Sequence, residues 1–394
     1  MRNLQTSDKG NLLPTVTNAQ LMLEYAPGTR PYRLNDFTLC FETRDEGTGE
    51  WRKLTDRDYL LARVFLEGAG LMVGSDVSVS ALHLVAGKHH AHPVRDYLRG
   101  LKWDGTPRLE RLFINYFKAE DTPLHREIGK RFAIGAVARI FIPGCKLDNY
   151  PVLEGLQGLK KSTALKALTG PWFSDTRLDL NKGADAYMPL QGVWIYEVAE
   201  LDSFKGASST RLKSFVSSSV DRFRPPYGRT VQDVPRQSIF AATTNDSDYV
   251  TDWTGDRRKW PVAVSAVDVE LIERDRDQLW AEAVRLFDAG ERWHLEGAAA
   301  AEMVEAAKLR YDQDVLIEEI ADMLNVHKDK LQEEMTIGDL FSALNLETQK
   351  GGGREQSRAI RALRSLGFLK LGQKWRDGAP RNLWKVPDVF LVAR

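Results

Sequence analysis

Residues 151–163 read Pro-Val-Leu-Glu-Gly-Leu-Gln-Gly-Leu-Lys-Lys-Ser-Thr, an apolar run that breaks into glycines and then into Lys161-Ser162 before a helix-forming segment. This order reads as a phosphate-binding loop. A strand delivers inward-pointing backbone N–H groups, a helix start adds its dipole, a lysine serves the β- and γ-phosphates and a hydroxyl serves Mg²⁺. Gly155 stands six residues before Lys161 and Ser162 follows it, which is the register this chemistry requires. Lys160 departs from the pattern, because a glycine usually precedes the lysine and lets the backbone pass close to phosphate. A bulky cation there either distorts the loop or adds a second charge to it. The expected nucleotide contacts are Gly155, Gln157, Gly158, Lys160, Lys161, Ser162 and Thr163, with ATP and Mg²⁺ as ligands.

A nucleotide site also needs an acid at the end of a neighbouring strand to hold Mg²⁺ and polarise water. The β-rich run 192–198 supplies Glu197, and Glu200 follows. The plainer reading is a buried strand whose carboxylates reach solvent. A third apolar run, 238–244, ends in Asn245, an amide suited to orienting water against a γ-phosphate. After it, Arg257 and Arg258 precede another apolar stretch. Guanidinium groups match phosphate oxygens bidentately, although paired arginines are more often solvated surface.

The order of QGLKKST, WFSDT, GVWIYEVAEL, DRFRPPYGR, VPRQSIFAATTN and GDRRKWPV resembles the virulence-associated E family. This is a group of phage and mobile-element ATPases similar to superfamily III helicases and, more distantly, to AAA+ proteins. The resemblance extends upstream through HPVRDYLRGLKWDGTPRL and VARIFIPGCKLD, so it covers residues 20–265 or so. It implies Lys161 and Ser162 as loop residues, Glu197 as the Walker-B acid, Asn245 as the sensor, and Arg257 or Arg258 as an arginine finger. Glu200 is the fallback base, because the usual adjacent acidic pair is absent. In superfamily III helicases the interval corresponding to 221–229 holds a hairpin that grips DNA in the pore of a ring. Arg222, Arg224, Tyr227 and Arg229 are the expected DNA contacts, arginines on phosphates and a tyrosine on a base. The bland alternative is a rigid turn whose arginines pair with Asp221 and Asp233. A third places one of them on the γ-phosphate.

The 394 residues, 43% hydrophobic, can build two or three cored domains, and 55 Lys plus Arg against 55 Asp plus Glu exclude a polyelectrolyte. Charge is uneven locally. Residues 301–349 hold twelve acids and four bases, whereas 350–394 hold eleven bases and three acids. Such a reversal fits one acidic and one basic helical face, the latter able to meet a phosphate backbone, or two segments that merely neutralise each other. Cys40 and Cys145 stand far apart, which excludes a thiolate zinc site and argues against a disulfide scaffold. The cluster of His89, His90 and His92 is too tight for three imidazoles to converge on one ion. With no signal-peptide core and no run of membrane-spanning length, a cytoplasmic protein is expected.

Four regions follow. Residues 1–100 open with a polar tail, expected to be disordered to position 11, and continue as a small α/β or winged-helix-like module with a helix over 56–68. Residues 101–149 are helical, with apolar stripes at 109–117 and 126–142. Residues 150–290 form an α/β P-loop ATPase core on a parallel sheet. Residues 291–394 carry helix, turn, basic helix (Arg354, Arg358, Arg361, Arg364) and strand pair, the order of a winged helix. The tryptophans at 103, 172, 194 and 260 are expected to pack, and Asp175 is a candidate outer partner of the metal.

The function expected is an ATP-dependent DNA helicase or translocase of a phage or integrated element, acting in replication on single-stranded or forked DNA. It implies a homo-oligomeric ring, a hexamer among the options, and leaves room for a separate primase. The alternatives are a nucleotide-gated DNA-binding or interference factor, if Lys160 cripples hydrolysis, and the helicase part of a primase-helicase.

Overall fold

The computed structural model describes residues 4–199, 207–224, 230–245, 258–344, 359–360, 362–364, 366–376 and 379–391. The first module runs α1 (Val16–Tyr25), β1 (Tyr32–Asn35), β2 (Cys40–Arg44), β3 (Trp51–Lys53), α2 (Asp56–Gly68), α3 (Ser75–Ala86) and β4 (His90–Ala91). Its sheet is ordered β3-β2-β1-β4, with β4 parallel to β1 and the other pairs antiparallel. Helix α2 starts where the sequence places it, because Thr55 and Asp58 form a reciprocal capping box. The opening tail differs from expectation. From Leu4 onward it folds back, with Thr6 bridged to Leu12. The buried Asn18 accepts from the Gln5 N–H and donates to the carbonyls of Gln5 and Leu13. One amide thus supplies the polar partners that the tail lacks within itself.

Helices α4 (Pro93–Gly100) and α5 (Pro123–Phe141) flank the stretch read as a striped helix over 109–117. That stretch is wound as a 3₁₀ turn, Leu109–Arg111, and then a π turn, Leu112–Tyr116. Helix α5 passes very close to it: a Cβ on Gly129 would sit 2.6 Å from the Leu109 carbonyl oxygen.

The core continues with β5 (Tyr150–Glu154), α6 (Lys161–Thr169), β6 (Phe173–Ser174), β7 (Ile195–Val198), α7 (Ala207–Ser217), β8 (Val220–Phe223), β9 (Gln232–Pro235), β10 (Ile239–Thr244), β11 (Lys259–Ala263) and α8 (Val269–Asp288). Five strands form a wholly parallel sheet in the order β11-β5-β10-β7-β6. The three strands read from sequence are its centre. They are buried along their whole length, as strands covered on both faces must be, hence their unbroken apolar runs. The two additions are edges, where the two-residue β6 and the Pro261 of β11 are tolerated. Alternation sends Leu153, Ile195 and Ala241 to a face packed with Leu165, Trp194, Trp260 and Trp280. Val152, Tyr196 and Ala242 go to the opposite face with Leu212, Phe215 and Phe240. Trp194 and Trp260 are therefore core packing, as expected.

Helix α9 (Gly297–Val326) joins this core to the last region. Its Met303 packs in the main cluster, while Ile320 and Leu324 belong to a separate one with Phe341, Leu363, Phe368 and Trp384. The segment 291–306 also packs on the main core through Trp293 and Leu295, so the apolar contact runs past position 290. Strand β12 (Glu334–Thr336), helix α10 (Ile337–Ala343) and strands β13 (Leu369–Arg376) and β14 (Ala379–Lys385) follow, the strands forming an antiparallel sheet β12-β14-β13. Of the basic helix, Arg364 is described, its guanidinium 5.3 Å from the Trp384 ring centroid. Arg354, Arg358 and Arg361 lie outside the described residues. Among the described residues no helix is long and apolar enough to cross a membrane.

Candidate nucleotide site

Strand β5 hands the chain to the loop between two neighbours. The Gly155 N–H donates to the Thr244 carbonyl at 3.2 Å, and the Val264 N–H donates to the Glu154 carbonyl at 2.7 Å. A Cβ on Gly155 would meet the Val264 carbonyl oxygen at 2.5 Å, so only glycine fits this crossing. Lys160 has φ +61° and ψ +28°, the left-handed conformation, and is the N-cap of α6. It holds by its backbone the shape that a glycine would take there, at a cost of about 1–2 kcal/mol. Behind it, the first N–H groups of α6 have no partner within the helix, which makes this end an anion site. Lys161 is buried, and its Nζ donates to the carbonyls of Gly155 and of Leu156, the latter at 3.0 Å. Burial pulls the Lys161 pKa down, with the charge of Glu197 acting against it.

Glu197 sits beside Ala241 in the β7–β10 register and is 1% exposed. Its Oε1 accepts from the Ser162 hydroxyl at 2.8 Å and from the Thr243 hydroxyl at 2.6 Å. Its Oε2 is buried and has no hydrogen-bond partner among the described residues. Burial pushes the carboxyl above the ordinary range; the two hydroxyls oppose this, and the nearby charge of Asp175 reinforces it. Thr243 was not singled out in the sequence. Its signal was the polar Thr-Thr before Asn245, but which threonine meets Glu197 depends on strand register, which no single strand encodes.

These groups converge on one cavity of about 420 Å³, lined by Gln157, Gly158, Leu159, Lys160, Lys161, Ser162, Thr163, Glu197, Ala199, Thr243, Thr244 and Asn245. Of the residues expected from sequence, the loop from Gln157 to Thr163, the strand acid Glu197 and the strand-end amide Asn245 are thus brought together, while Gly155 stays at the strand crossing outside the lining. The donor set fits a magnesium-bound polyphosphate: amides and a lysine for phosphate oxygens, a hydroxyl and a carboxylate with an orphaned oxygen for the cation.

Other expected residues lie elsewhere. Arg258 immediately precedes β11, whose Lys259 pairs with Tyr150 at the far end of β5 from the loop. Four residues of strand, about 13 Å of rise, separate that end from Glu154. There Arg258 is 3.4 Å from Asp148. Strands β8 and β9 form the antiparallel hairpin anticipated between the acidic and sensor strands. Arg222 and Arg224 are exposed on it, with Arg222 3.4 Å from Asp233. Arg236 is fully buried and pairs with Asp221 at 2.6 Å, so the bland reading holds at the hairpin root. Glu200, Tyr227, Arg229 and Arg257 lie outside the described residues. In the histidine cluster, His90 bonds Asp36 and the buried His92 bonds Gln237, and no group of three metal-ligating side chains occurs among the described residues.

A wholly parallel sheet whose inner strand β5 runs through a glycine turn into a helix start is the architecture of a P-loop core. The virulence-associated protein E-like domain matches residues 98–313, more than half of the chain, and the chain belongs to that family. No curated protein matches the chain. Among solved structures, the apo NrS-1 C-terminal region (305–718) is 14% identical, with 94% of this chain and 99% of that one covered and a TM-score of 0.47. An inhibitor-bound JCV helicase is 13% identical over 68% of this chain and 82% of that one, with a TM-score of 0.28.

Proposed function

We propose that the chain is a Mg²⁺-dependent ATPase that works on DNA as a helicase or translocase of a phage or integrated element. The observation that carries this reading is the join of Ser162, Glu197 and Thr243 directly under the loop that presents Lys161. Magnesium-bound ATP supplies an activated γ-phosphoryl group and a cation that draws charge from its oxygens. Lys161, released from the Gly155 and Leu156 carbonyls, offers its ammonium to the phosphates. Ser162 would hold the cation through its hydroxyl oxygen. Glu197, with Oε1 held by Thr243, would present Oε2 to orient water or take its proton. Asn245 positions the water or the γ-phosphate from the end of β10.

Among the described residues no arginine lines the cavity. Arg258, at the opposite end of the strands from the loop, suits a role in trans, in which each subunit of a ring lends its finger to the next. The exposed Arg222 and Arg224 suit contact with the phosphates of single-stranded or forked DNA. The strand order of the last region suits a winged helix, and a primase would act as a separate partner. A second reading, a nucleotide-gated binding factor with weak hydrolysis, draws on the left-handed Lys160. Phosphate release measured with and without single-stranded DNA, for wild type and Lys161→Ala, separates the two. Hydrolysis that DNA stimulates and Lys161→Ala abolishes supports the ATPase; ATP binding without turnover in the wild type supports the gated factor.

A further inference from the structure

The sheet of the first module has one face covered by helices and one turned outward. On the covered face Tyr32 and Phe41 join the apolar cluster and Leu34 stands opposite Phe41. Arg52 points the same way and is held by Asp58 of α2 through bonds of 2.7 and 2.9 Å. Strict alternation therefore sends Arg33, Glu42, Arg44, Trp51 and Lys53 to the other face. The register confirms their adjacency: Arg33 stands opposite Glu42, Glu42 opposite Lys53, and Arg44 opposite Trp51. The half-buried Trp51 ring lies between two guanidinium groups, 4.0 Å from Arg33 and 5.2 Å from Arg44.

Packing alone accounts for Arg33, whose charge is neutralised by Glu42 at 2.8 Å. It does not account for Arg44 and Lys53. Both are exposed, and neither has an ion-pair partner among the described residues. An aromatic ring flanked by uncompensated cations on a sheet face is the arrangement that stacks unpaired bases while holding their phosphates. The β1–β2 turn docks on the core, where the Phe37 carbonyl accepts from the Gly192 N–H ahead of β7 at 3.1 Å and the Gln237 amide, just past β9, donates to the Asp36 carbonyl at 3.2 Å; the Arg44–Trp51 pair lies at the other end of β2.

We infer that the outer sheet face formed by Trp51, Arg44 and Lys53 is a binding platform for single-stranded nucleic acid. A base displaces Arg44 from the ring and stacks on Trp51, and the freed guanidinium and Lys53 take the flanking phosphates. Nothing in this step needs ATP, so it stands or falls separately from the hydrolysis proposed above.

The test is fluorescence anisotropy of a labelled oligo-dT on the full chain, without nucleotide, over a series of salt concentrations. Trp51→Leu should weaken binding about tenfold while Trp51→Phe retains most of it. The double variant Arg44→Ala, Lys53→Ala changes only exposed side chains and is safe for folding. It should flatten the salt dependence by about 1.4 in log–log slope, the loss of two single-strand phosphate contacts. Basal hydrolysis should be unchanged in all three. Unchanged affinity and slope in the double variant would overturn the proposal. So would an equal loss of inorganic polyphosphate binding in Trp51→Leu, because a chain without bases has nothing to stack.

Discussion

Glu197 and Asp221 are carboxylates shut away from water in one α/β core, near opposite ends of β10, and they are treated in opposite ways. Burial pushes both above the ordinary carboxyl range. At Asp221 a full charge opposes it. The Arg236 Nε and Nη2 reach the same oxygen at 2.9 and 2.6 Å, while Nη1 caps the end of α7 at the carbonyls of Phe215 and Val216. At Glu197 the opposition comes first from two neutral hydroxyls on one oxygen and only then from the charge of Lys161, and the other oxygen has no hydrogen-bond partner among the described residues. Buried polar groups are normally satisfied, and a group left short is poised for something else. Asp221 holds the hairpin root to the sheet; in the proposed function Glu197 is kept ready for a cation or a water.

The largest expected effect tests that division directly. Glu197→Gln keeps an acceptor for Ser162 and Thr243 but removes the ionisable group, so hydrolysis should fall on the order of 10²- to 10⁴-fold. Its denaturant midpoint should stay level or rise, because an uncompensated buried charge has gone. Asp221→Asn should do the reverse. It strands the buried Arg236 and should cost about 3–5 kcal/mol of unfolding free energy, with turnover per folded molecule little changed. A stability loss in Glu197→Gln as large as in Asp221→Asn would end the comparison.

A third buried acid extends it to pH. The Arg52 guanidinium holds the Asp58 carboxyl well below its ordinary value, against the effect of burial, with Thr55 assisting. The folded value lies below the unfolded one. The stabilisation is therefore complete above the ordinary carboxyl value of 3.8 and is lost as pH falls through the folded value. Denaturant unfolding followed from about pH 5 down to about pH 2 should show stability declining with acid, and Asp58→Asn should remove part of that slope. A slope unchanged in the variant would assign the acid sensitivity to other carboxylates.

Much of this was legible before any fold was known. Lys161, Ser162, Glu197 and Asn245 were readable because each is fixed by local context: a glycine turn, a helix start, the end of an apolar strand. Helix α2 was readable for the same reason, since its Thr55–Asp58 box is a local device. What was not legible is what depends on register or on distant partners. Thr243 meets Glu197 only because β10 pairs with β7 in one particular alignment. The tail from Leu4 is held by distant groups, with Leu4 and Leu12 on the apolar cluster and Asn18, in a helix, turning its amide toward it. A pairing of Asp221 with an arginine was open only as the plainer alternative, because the hairpin that brings Arg236 to it has two legs with no apolar pattern longer than four residues. The edge strand β6 is two residues long, too short for any periodicity to register.

The smallest expected effect concerns Lys160, where local rule and actual backbone disagree. Its left-handed conformation costs about 1–2 kcal/mol relative to a permissive residue. Glycine would relieve that cost but lose about 0.5–1 kcal/mol through its freer unfolded chain. Lys160→Gly should therefore stabilise the protein by no more than about 1 kcal/mol, and hydrolysis should be equal or faster because the usual loop is restored. Lys160→Ala separates charge from shape, since it retains the Cβ and its strain while removing the ammonium. If glycine speeds turnover and alanine does not, the loop's shape was limiting. If both variants lose hydrolysis completely, the second cation acts on the phosphates, and Lys160 joins Lys161 as part of the chemistry.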